Sequence, residues 1–85
     1  MMWDKVGNAL FANDGVRAYG VAARPSDPNY QAAYWTLGKR DLSILGVVFK
    51  SQSEACQHLE AIAAGFTAER IQMEASRRAA IWRAL

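Results

Sequence analysis

Only one cysteine, Cys56, and one histidine, His58, occur in this 85-residue chain. A single cysteine excludes an internal disulfide framework and a cysteine-based structural zinc site. No apolar run approaches the roughly 18 residues that a membrane-spanning helix requires. The opening "MMWDKVGNAL" has no charged region followed by an apolar core, so no secretory signal is expected, no membrane association either, and the cytoplasm is the expected location. Large apolar anchors are scarce as well. There are three Trp, three Phe and three Tyr, while sixteen alanines supply much of the 52 % apolar share. A chain of this size buries only about 60–65 % of the surface its unfolded form exposes. One small domain over residues 1–85 with a thin core follows, and such a protomer gains from self-association.

Catalytic constellations are missing too. The chain has no glycine-rich phosphate loop, no HExxH and no paired metal-ligand spacing. Cys56 and His58 stand two positions apart, about 200° around a helix axis, so they cannot meet as a nucleophile–base pair. Cys56 reads as a small core residue and His58 as a solvent-facing one. The carboxylates have local duties: Asp14 and Asp41 suit turns, Asp27 precedes a proline, and Glu54 caps a helix. No enzyme activity and no cofactor are expected.

Charge is unevenly placed. Residues 1–66 hold six Lys/Arg and six Asp/Glu, so the net +2 rests on Arg70, Arg77, Arg78 and Arg83 against Glu69 and Glu74. A total of +2 is too small to imply a polyanion partner, but its position marks the C-terminal segment.

Turn chemistry divides the first fifty residues. Asn13-Asp14-Gly15 tolerates the backbone of a tight connection, which predicts a strand near 3–12 and another near 16–24. Trp3, Val6 and Leu10 also fit a helical stripe, so the first segment is open between strand and helix. Pro25 and Pro28 make "RPSDPNY" a loop. Tyr34 to Leu37 and Ile44 to Phe49 then read as a second hairpin around Gly38-Lys39-Arg40-Asp41, with Gly46 marking a bulge or a close backbone approach.

Ser51 and Glu54 form the S-x-x-E signature of a capping box. Ala55, Cys56, Leu59, Ile62, Ala63 and Phe66 follow as one apolar stripe at helical spacing. Gly65 is placed to stop that helix, giving a first helix over 51–65. Thr67 is placed to cap a second over 67–85, with Ala68, Ile71, Ala75, Ala79, Trp82 and Leu85 along one side. The expected fold is therefore α+β in the order ββββαα: an antiparallel sheet of three to four strands and two C-terminal helices.

The stretch "FKSQSEACQHLEAI" resembles the strand-to-helix junction of the arm-type N-terminal domains of phage integrases, in which an F-x-T-x-x-E-A pattern is common. The resemblance covers about fifteen residues. The order ββββα is similar to that of Whirly-like single-strand-binding regulators. No family residue is carried across from either.

Two surfaces are candidates for function. Arg70, Arg77, Arg78, Trp82 and Arg83 on the last helix suit a protein partner or a second copy, since Trp82 near the terminus needs cover. Tyr19 and Tyr34 on the sheet, with Arg17, Lys39 and Arg40, suit base stacking beside positive charge. The leading expectation is a non-enzymatic interaction or regulatory module, homodimeric or bound to a protein through its C-terminal helix. A small nucleic-acid-binding module is the alternative.

Overall fold

The computed structural model describes residues 1–84, with side chains through Arg77. Five strands come first: β1 (Asp4–Val6), β2 (Ala9–Asn13), β3 (Arg17–Ala23), β4 (Tyr30–Thr36) and β5 (Ser43–Phe49). One helix follows, α1 (Gln52–Ala84). The strands form a single antiparallel meander in the order β1-β2-β3-β4-β5. The expected sheet of three to four strands with two helices is therefore corrected to five strands and one helix.

Both corrections have local causes. The segment 3–12 folds back on itself, because Val6 pairs with Ala9 across a two-residue turn of Gly7 and Asn8. Gly7 takes a φ of 61° there, the positive value that the first turn position of a II′ hairpin needs. At the other end, Gly65 does not take a left-handed conformation, and the helix runs through it. Thr67 is no cap. Its hydroxyl donates to the Ala63 carbonyl one turn back, at 3.1 Å, which is how a threonine satisfies itself inside a continuing helix.

Other turns match their sequence signals. Asp14 Oδ1 accepts from the Val16 and Arg17 amides at 2.9 and 2.8 Å, which closes the β2–β3 connection, with Gly15 at a φ of 86°. Asp41 accepts from the Thr36 amide and hydroxyl at 2.8 and 2.6 Å, tying the β4–β5 loop to the end of its own strand. Those two bonds hold the Asp41 carboxyl below its ordinary range. The β4–β5 register shifts in mid-strand, from Ala33 opposite Ile44 to Gln31 opposite Val48. Gly46 lies at the centre of this bulge, where a residue without a side chain bends most easily.

At the head of α1, Ser51 Oγ accepts from the Glu54 amide at 3.2 Å, the expected cap. The apolar stripe then lies on the sheet. Ala55, Leu59 and Ala63 are buried against Tyr19, Val21, Ala32 and Phe49, with Trp3, Leu10, Tyr34 and Ile62 packed around them. Alanines at the contact let the helix approach the sheet closely, and Leu59 and Tyr19 fill the space between them. The Trp3 indole donates to Glu60 at 2.9 Å and fastens the N-terminal segment to the helix.

A 33-residue helix is about 50 Å long, while a seven-residue strand spans about 23 Å. The molecule accordingly measures 59 × 23 × 22 Å. The helix packs on the sheet as far as Ala63 and keeps partial cover at Phe66 and Arg70, and every residue from Ile71 to Arg77 is exposed. Among the described residues no helix is long and apolar enough to cross a membrane.

Candidate functional site

One helix covers one face of the sheet. The other face follows from the register. Phe11, Gly20, Ala33 and Ile44 lie in one cross-strand row, and Ala9, Ala22, Gln31 and Val48 in the next. A third row holds Asn13, Ala18 and Trp35. None of these positions is a lysine or arginine, and the sole carboxylate on this side of a strand is Asp4, on edge strand β1. A one-sided antiparallel sheet ordinarily alternates apolar residues inward with polar residues outward. Here the outward set is largely apolar too, with Asn13, Gln31 and Asp4 the polar exceptions: Ile44 is 57 % exposed, Phe11 38 % and Val48 39 %.

This open face has relief. The Phe11 and Trp35 rings meet edge to face at 6.4 Å, closing over Gly20 from both sides. A Cβ at position 20 would lie 3.3 Å from Phe11 and 3.4 Å from Trp35, so the glycine is what lets the rings approach. Beside them Ala22 and Ala33 leave a hollow of about 200 Å³, bounded on the far side by Leu42 and Ile44. That volume is below the roughly 300–1,000 Å³ of small-molecule pockets and suits one or two side chains.

A second feature fixes the helix where it leaves the sheet. Asp14 Oδ2 accepts from the Tyr19 hydroxyl at 3.2 Å and lies 3.8 Å from Arg70. Burial alone would raise the Asp14 pKa. The Arg17 and Val16 amides, the Tyr19 hydroxyl and the Arg70 charge outweigh it, and the carboxyl is held below its ordinary value. Tyr19 shifts upward through its burial and the adjacent Asp14 carboxylate. The Arg17 guanidinium stacks 3.8 Å from the centre of the Phe66 ring, which also packs edge to face with Tyr34 at a centroid separation of 5.4 Å.

These contacts place the residues expected to carry function. Tyr19 is buried under the helix, and Tyr34 is half-buried on that same side. Arg17 is engaged with Phe66, and Lys39 and Arg40 are exposed in the β4–β5 loop. The five therefore do not assemble on one open surface. Arg70 reaches back to Asp14, and Arg77 stands exposed on the projecting half of α1. The side chains of Arg78, Trp82 and Arg83 lie outside the described residues.

Cys56 is half-buried beside the core, and burial together with the Glu60 carboxylate pushes its thiol upward. His58 is exposed, with its ring 5.2 Å from that of Phe49. Among the described residues no group of three or more His, Cys, Asp or Glu side chains is placed to hold a metal ion.

Sequence reasoning offered Tyr19 and Tyr34 as residues of an outward sheet face and missed the apolar face that Phe11, Trp35 and Ile44 form instead. Its signal is the regular alternation along β3 and β4, which puts Gly20 and Ala22, and Ala33 and Trp35, opposite the residues that meet the helix. Fold and surface together define a small α+β protein, a five-stranded meander covered on one side by a helix longer than the sheet. Neither a family model, nor a curated protein, nor a solved structure matches the chain.

Proposed function

We propose that the chain is a cytoplasmic, non-enzymatic protein-interaction module. The observation that carries this reading is the open sheet face, where a largely apolar set of side chains, uncharged on β2 to β5, is exposed on strands whose opposite face is already buried under α1. Contiguous exposed apolar surface of this kind marks an interaction site on a folded protein. The projecting half of α1, with Ile71 64 % and Met73 60 % exposed, offers a second surface in line with the expected role of the C-terminal helix.

Photo-crosslinking tests the reading. A crosslinking residue at position 44, at position 71, or at position 26 in the β3–β4 loop as control, is expected to give protein adducts of defined mass at 44 or 71 but not at 26. No adduct at either test position would overturn it. Tight oligonucleotide binding that falls steeply with salt would replace it with the nucleic-acid alternative.

A further inference from the structure

Resting on that reading, we infer that the occupant of the open sheet face is a second copy of this chain, stacked face to face about a twofold axis. Three observations favour a copy over another partner. The first is charge. On β2 to β5 the Phe11–Ile44 row and its neighbours contain no ionised group, and the one carboxylate of this side, Asp4 opposite Phe11 on β1, stands at the sheet edge. The centres of two copies therefore meet without like-charge repulsion, and a charged partner surface would find little complement.

The second is shape. A ridge of Phe11 and Trp35 stands beside a hollow floored by Ala22 and Ala33 and rimmed by Ile44. A twofold rotation puts the raised side chains of one copy over the hollow of the other, which is the self-complementarity an isologous contact needs. The third is area. Three seven-residue strands about 23 Å long and the five-residue β2 at about 17 Å, spaced about 4.8 Å apart, present roughly 400 Å² in projection. Two such faces total about 800 Å² in projection, at the low end of specific interfaces, which suits an association that depends on concentration. Stacked sheets are an ordinary way to bury apolar faces on both sides of a layer.

Pairing along the β5 edge is the competing arrangement. Edge strands that recruit a partner present an uninterrupted row of backbone groups. The bulge around Gly46 breaks that row in the middle of β5, which favours the face over the edge.

Sedimentation velocity across a wide concentration range tests the inference, using the parent chain and three variants: Ala22→Lys, Ile44→Asp and Ile71→Asp. The three positions are exposed in the protomer, so each variant is expected to fold, and circular dichroism checks that it does. The parent is expected to double its mass with rising concentration. Ala22→Lys and Ile44→Asp are each expected to weaken association at least about tenfold, as a charge forced into an apolar contact should. Ile71→Asp is expected to leave it unchanged.

A parent that stays monomeric at high concentration overturns the second-copy assignment. Crosslinked adducts at position 44 with a mass other than twice the chain's would then leave the interaction reading standing. Association that survives Ala22→Lys but not Ile44→Asp points to the β5 edge and also overturns it. Loss in Ile71→Asp alone moves the contact to the helix and likewise overturns it.

Discussion

The two faces of the sheet have similar composition and different surroundings. On the covered face Tyr19, Val21, Ala32 and Phe49 meet Ala55, Leu59 and Ala63 of the helix and lose nearly all contact with solvent. On the open face Phe11, Trp35, Ile44 and Val48 occupy equivalent positions with nothing above them. A residue's partner, more than its type, decides whether its burial stabilises the fold. The same alternation that gives the helix its seat leaves a largely apolar second surface, and a thin core cluster with three alanines among its seven residues fits the proposal that a second copy covers that surface.

The sharpest contrast between the faces comes from removing volume. Leu59→Ala is expected to cost about 2–5 kcal/mol in denaturant unfolding, near the top of that range because Leu59 is wholly buried between helix and sheet. Ile62→Ala, at a partly buried position, should cost less. If Ile44→Ala on the open face cost as much as Leu59→Ala at concentrations where the chain is monomeric, the distinction between the faces would fail.

Asp14 is the next test. Replacing it with Asn is expected to cost about 1–2 kcal/mol, because a carboxylate that accepts two amide bonds and one hydroxyl bond is exchanged for a neutral group. Its folded pKa lies below the unfolded one. The stabilisation is therefore complete above the ordinary aspartate value of 3.8 and is lost as pH falls through the depressed folded value. The parent should lose stability over that acidic range more steeply than Asp14→Asn, as read from melting temperature against pH.

Smaller effects probe the helix. Gly65→Ala is expected to stabilise by about 0.5–1 kcal/mol, since the backbone there is helical and an added Cβ meets nothing within 4 Å. A loss of stability would mean that the helix breaks at Gly65 after all. His58→Ala should cost under about 1 kcal/mol, the worth of an exposed ring resting on Phe49.

The legible parts of this fold were those governed by neighbours in sequence. The Asn13-Asp14-Gly15 turn, the Ser51 cap, the Leu59 stripe and the bulge at Gly46 each follow from a few adjacent residues. The Gly7-Asn8 turn carried a signal of the same kind, but the spacing of Trp3, Val6 and Leu10 imitated a helix and obscured it. Gly65 was misleading for a different reason. A glycine costs a helix only about 1 kcal/mol. Good helix formers on both sides, and Phe66 held between Arg17 and Tyr34, outweigh that cost. The open face was the least legible because its definition depends on which side the helix chooses. Tyr19 and Trp35 both read as sheet aromatics, and the pairing of Ala18 with Trp35 alone puts them on opposite sides.

Cover of the open face by a second copy is tested most directly by the attenuation of methyl resonances by a soluble paramagnetic probe, followed as protein concentration rises. Ala22, Ile44 and Val48 methyls are expected to be strongly attenuated in dilute solution and protected in concentrated solution, while Ile71 stays attenuated throughout and Leu59 stays protected. Ala22 and Ile44 methyls that remain attenuated at every concentration would contradict it.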